Sequence, residues 1–231
     1  MTTNFHILQA NGILEGAVHD QLKSVLLQTS KQCGAKLTLS NIDVVVMNVP
    51  WNVIPRLGVN GFSYDAHQIV LSIDSNHEYL KANFEKTISA ILSHELHHSA
   101  RALARGTSHS HTYGGSLVAE GLACCFEEEM CNTTPFYAIE CNGDALQKFS
   151  TKAKEHIFTR SEKLPGNWQQ WMFGRFGGDP EFPYQCGYST GYALVRSWLD
   201  ENDLSASSAI AIDENEILNM WLNGSINPFD D

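Results

Sequence analysis

Residues 94–98 read His-Glu-Leu-His-His, so His94-Glu95-x-x-His98 is an H-E-x-x-H string. On a helix, positions four apart differ by only about 40° in direction and stand one turn above each other. Two imidazoles at that spacing converge on one cation, and zinc is the ion expected from such ligands. Glu95 projects about 100° away from His94, close enough to reach a metal-bound water and displaced from the ligand direction. Zinc lowers the pKa of its water to roughly 7, and a neighbouring glutamate can then take the proton. The chemistry implied is hydrolysis by metal-activated water.

A catalytic zinc takes three protein ligands and keeps a position for water. The metzincin extension H-E-x-x-H-x-x-G-x-x-H does not supply the third, because Arg101 stands where its glycine would be and Leu103 to Arg105 contain no histidine. Glu120 is the better candidate. It sits in Leu117-Val118-Ala119-Glu120-Gly121-Leu122-Ala123, where apolar neighbours make a solvent-facing charge unexpected and small ones permit close helix approach. Glu127 falls on nearly the same helical face two turns later and is the reserve ligand, or a group that orients one. His109 and His111, in the intervening polar loop, are further alternatives. His97, three positions from His94, could pair with it instead of His98, but surface or supporting packing is expected of it. Glu128 and Glu129 read as solvated.

The two segments His94-Glu95-Leu96-His97-His98 and Ala119-Glu120-Gly121-Leu122-Ala123 resemble the YjaZ-like family of predicted zinc-dependent proteases, within the wider gluzincin group. The resemblance runs from about Ile42 to Leu199 and is strongest over Ile88–Glu127. It implies a zincin-like fold, zinc ligands His94, His98 and Glu120, and Glu95 as general base. One departure stands out. Gluzincins such as thermolysin carry an acidic residue four positions after the ligand glutamate, and here that position is Cys124, with Glu127 a possible substitute.

Amide hydrolysis also needs a donor for the developing oxyanion. Tyr184, Tyr188 and Tyr192 recur every four residues, with Gly187 and Gly191 beside two of them. Tyr188 is the first choice and Tyr192 the second; packing of the rings on a core is the competing reading. Substrate signals are fewer. A strand over Val59–Tyr64 could accept an extended peptide along its edge. Trp168, Trp171, Phe173 and Phe176 crowd a Gly-rich loop and are expected to fill a core more readily than to cover a cleft.

These residues need a scaffold. Ile13, Leu14, Val18, Leu22, Val25 and Leu26 predict an amphipathic helix over 13–30. Ile42 to Val49 is dense in β-branched residues and predicts a buried strand. Extended pieces near Val59–Tyr64 and Gln68–Ile73 flank a turn at 64–67 and predict a hairpin. Ile88, Leu92, Leu96, Ala100 and Leu103 form a stripe over 84–103, with Gly106 at the stop. Further helices are predicted over 116–130, 144–158, 187–199 and 215–222, separated by a long loop from Pro165 to Pro183. Sheet first and helices after is an α+β arrangement: a small mixed or antiparallel sheet packed on the helix of the motif, then a mainly helical C-terminal half. Residues 1–231 are expected to form one domain, divided into 1–105 with the sheet and motif helix and 106–231 with the third ligand.

Hydrophobic residues are 43% and charged residues 18% of the 231, ordinary globular usage that excludes disorder. The formal net charge of -11 disfavours nucleic acid and anionic membranes as partners, since both demand clustered Lys and Arg. No secretory signal and no membrane-spanning run is visible. Six cysteines without a C-x-x-C pair fit reduced thiols, and a cytoplasmic location is expected. The expected function is that of a zinc peptidase acting on a peptide or protein. The alternatives are a zinc hydrolase of a non-peptide amide or ester, and a non-catalytic binding protein of the same fold.

Overall fold

A computed structural model describes residues 2–229 apart from 108, 109, 176 and 178. His109 and Phe176, singled out above, therefore lie outside the described residues. The chain divides into two compact units, residues 1–108 and 109–231. The architecture is α+β, with a four-stranded mixed sheet and, among the described residues, nine α-helices.

The first unit opens with strand β1 (Thr3–Ile7) and helix α1 (Gly16–Gly34). Gly16 takes φ +59 and so marks where the helix begins. Leu14, expected inside it, is buried just ahead of it. Leu22, Val25, Leu26, Thr29 and Cys33 form the buried stripe of α1. Strand β2 (Ile42–Asn48) runs parallel to β1, with Val44 beside Phe5. Strands β3 (Val59–Ser63) and β4 (Gln68–Ile73) make the expected hairpin, with Gly61 opposite Leu71, and β4 lies parallel to β2. The sheet order is β1-β2-β4-β3, so β3 is a terminal strand.

Strand β1 was not expected from the sequence. Its side chains alternate between half-buried and exposed, and none is fully buried, so it carries no strong apolar signal. The short helix α2 (Glu78–Ala82) is capped by the His77 ring, which accepts from the Leu80 N–H, and leads into α3 (Phe84–Arg105). Gly106 closes α3 in the left-handed conformation that favours glycine. Helix α3 packs on α1, β3 and β4. Every residue from Ile91 to Ala102 is buried, so this stretch is enclosed all round; Leu103, expected on the apolar stripe, is 41% exposed.

The second unit is helical. It contains α4 (Tyr113–Cys131), α5 (Phe136–Ile139), α6 (Gly143–Lys154), α7 (Trp168–Phe173), α8 (Cys186–Glu201) and α9 (Glu214–Leu222). Thr112 caps α4 by accepting from the Gly115 N–H at 3.2 Å. Helix α8 is the hub, packed on α4, α5, α6, α7 and α9. A Cβ at Gly191 would lie 2.3 Å from the Leu117 carbonyl, and one at Gly121 would lie 2.2 Å from the Gly191 carbonyl. Backbone therefore meets backbone where α4 and α8 cross. Helix α7 falls within the stretch expected to be loop. Trp171 and Met172 there are fully buried, while Trp168 is half-buried and Phe173 exposed.

Candidate metal centre

Helix α3 carries His94 and His98 one turn apart, as the spacing requires. Their Nε2 atoms stand 3.2 Å from each other, with ring centroids 4.9 Å apart. Two nitrogens each at about 2.0–2.1 Å from a tetrahedral ion are separated by about 3.3 Å. The pair thus has the spacing of two ligands of one cation. His94, His98 and Glu120 are all buried, and each offers a ligand atom within 4.8 Å of the others. Two imidazoles and a carboxylate form a donor set that zinc takes readily.

Burial is the unusual property of these groups. His94 is 5% exposed, Glu95 6%, His98 2% and Glu120 7%. Titratable groups are rarely enclosed to this degree, because losing water is costly unless partners or a cation replace it. His97 is also fully buried, so of the two expectations for it, surface or supporting packing, the surface one does not hold. Its ring centroid lies 6.5 Å from that of His98, and, as expected, it does not join the cation-competent group. His111 is exposed and outside that group as well.

Glu95 meets strand β3. A Cβ built on Gly61 would lie 2.5 Å from Glu95 Cγ and 2.7 Å from its Oε1. The hydroxyls of Ser63 and Ser99 approach to 2.9 Å one helical turn further on. The strand and the helix are thus held together on the Glu95 side of α3.

Glu127 is buried on α4 and accepts a hydrogen bond from the Tyr137 hydroxyl. Burial, and then the neighbouring Glu127 charge, hold the Tyr137 phenol well above its usual range, so it stays a donor. Tyr137 was not anticipated. It lies on the short helix α5, and no periodicity in the sequence links it to Glu127. The ring of Tyr188 packs edge-on against Tyr137 at 5.4 Å and lies 5.5 Å from Phe173. Tyr192 instead donates to Glu128 at 2.9 Å, and its phenol is pushed up by burial and by that bond. Tyr184 precedes helix α8. Glu128 and Glu129, expected to be solvated, are engaged: Thr134 also donates to Glu128, and the Ala206 N–H to Glu129.

The cysteines contribute no ligand to the cation-competent group. All six are thiols, and burial pushes Cys33 and Cys141 up to about 11. No described helix is long and apolar enough to cross a membrane.

No match is found among curated proteins or among solved structures. A family model described as "Predicted Zn-dependent protease (DUF2268)" matches residues 22–219, a wider span than the sequence resemblance suggested. With both histidines of the motif, Glu95 and Glu120 inside that span, the chain belongs to this family of predicted zinc-dependent proteases.

Proposed function

We propose that the protein is a zinc peptidase in which His94, His98 and Glu120 hold the ion and Glu95 is the general base. The observation that carries this reading is the convergence of three buried ligand atoms within 4.8 Å, beside a buried glutamate one position along the same helix. When bound, zinc supplies a Lewis acid that polarises a carbonyl and brings the pKa of a coordinated water to about 7. Glu95 accepts a proton from the attacking water and returns it to the departing amine. Tyr188, the first choice by sequence, is the proposed oxyanion donor; the Tyr192 hydroxyl donates to Glu128.

The terminal strand supports a peptide over a smaller amide or ester. Gly58 accepts from Asp74 and Tyr64 donates to Gln68, so the even-numbered residues of β3 make the ladder to β4. By the alternation of an antiparallel pair, Gly61 directs its N–H and C=O groups away from β4. A substrate strand added along that side gains backbone hydrogen bonds next to Glu95.

The test is cleavage of a mixed peptide library by wild type and by Glu95→Gln, with zinc measured by elemental analysis. Zinc in both proteins and a loss of at least about 100-fold in cleavage by the variant are expected. Equal cleavage by the two would remove Glu95 from the role. A zinc-loaded wild type that cleaves nothing would favour the non-catalytic reading.

A further inference from the structure

The geometry points to Gly61 as a positioning residue for Glu95: the side chain missing from strand β3 makes the room in which the proposed base sits. The inference rests on the reading of Glu95 given above and adds a residue to it. Gly61 is not in the left-handed region of φ, so backbone freedom does not demand a glycine there. Close approach does. A methyl group at this position would stand 2.5 Å from Glu95 Cγ, 2.7 Å from Glu95 Oε1 and 2.8 Å from Ile91 Cγ2, whereas carbon atoms pack at about 3.5–4.0 Å.

The neighbouring residues on the same face of β3 carry side chains. Val59 is fully buried and Ser63 bonds Ser99. Two residues of strand advance about 6.6 Å and one turn of helix about 5.4 Å. Gly61 therefore lies over Glu95 as Ser63 lies over Ser99, and the strand cannot easily retreat from the carboxylate. The atoms that a Cβ at this position meets belong to the Glu95 and Ile91 side chains and not to backbone, so it is side chain that must shift. An alanine at 61 drives the Glu95 side chain aside while the histidines, fixed by their own helical spacing, keep the metal. A misplacement of about 1 Å in a reacting group costs on the order of 100-fold in rate.

The experiment is a cycle of four proteins: wild type, Gly61→Ala, Glu95→Gln and the double variant. The substrate is the best-cleaved peptide of the library, and zinc content and thermal unfolding are measured alongside. Gly61→Ala is expected to keep zinc and fold, to lower kcat by about 10- to 100-fold, and to leave KM within about twofold. In the Glu95→Gln background the same change is expected to have no further effect, because the group it acts through is gone. Unchanged kcat in Gly61→Ala overturns the proposal, and so does an equal fall in both backgrounds.

Should Gly61→Ala lose zinc or unfold, Gly61→Ala/Ile91→Leu, which lacks the Cγ2 methyl, decides the matter. A refolded protein with kcat still low supports the role. Recovery of kcat assigns Gly61 to packing on Ile91 and overturns it, as does continued failure to fold. Full activity in Glu95→Gln rejects the base reading itself. An inactive Glu95→Gln beside a fully active Gly61→Ala rejects only the role of Gly61.

Discussion

Two buried glutamates on one face of helix α4 stand in different circumstances. Glu120 has a carboxylate oxygen within 4.8 Å of the ligand atoms of His94 and His98. Glu127, two turns on, accepts from Tyr137 and lies outside that group. The gluzincin pattern places an acidic residue four positions after the ligand, where this chain has Cys124, and Glu127 with Tyr137 supplies a buried polar pair further along. Removing the proposed ligand and removing the buried glutamate beyond it should therefore differ in scale. Glu120→Ala is expected to abolish measurable zinc binding or weaken it by more than about 100-fold, and Glu127→Gln by about tenfold at most. Zinc titration by calorimetry or with a competing chelator checks this. Full affinity in Glu120→Ala would transfer the third ligand elsewhere.

At the scale of elements, the site depends on where α4 crosses α8. Gly121, next to Glu120, meets the Gly191 carbonyl so closely that a Cβ would stand 2.2 Å from it. That contact is with backbone, which cannot swing aside as a side chain does. Overpacking at such a crossing costs about 1–3 kcal/mol and sometimes more, and here separation of the helices would also move Glu120. Gly121→Ala is thus expected to lower both unfolding stability and zinc affinity. Denaturant unfolding of the zinc-free protein, followed by a zinc titration, separates the two effects. A variant as stable as wild type would show that the crossing can relax. Gly106→Ala, at a surface helix end with no atom within 4 Å of its Cβ, provides the contrast: strain in φ at that end, and no effect on zinc.

For the molecule as a whole, the proposed cation site, being buried, would link metal to stability. A ligand that binds only the folded state stabilises it by RT ln(1 + [L]/Kd), about 4 kcal/mol at a thousandfold excess over Kd. For a chain of this size that corresponds to a rise of roughly 10 °C in Tm. Zinc added to chelator-treated wild type is expected to raise Tm by about that amount, and Glu120→Ala should lack most of the rise. Scanning calorimetry or fluorimetry measures it. An unaltered Tm in wild type would argue that these residues bind no structural or catalytic cation.

The sequence by itself determined the motif helix, its stop at Gly106, the β3–β4 hairpin, the helical second half and the order of sheet before helices. Each follows from local chemistry: residue spacing, β-branching, a glycine able to take positive φ. It also singled out His94, Glu95, His98 and Glu120, because a helix turns spacing into direction and an apolar neighbourhood makes a charge conspicuous. Only the tertiary structure decided what depends on residues distant in the chain. Strand β1 exists because β2 offers it a partner, although no residue of β1 is fully buried. Glu127 owes its place to Tyr137, and Tyr192 owes its engagement to Glu128. Gly61 reads in sequence as a weak point of a strand; the fold shows that its missing side chain is the space Glu95 occupies. Contacts of that kind are set by which surfaces meet, and no spacing along one segment encodes them.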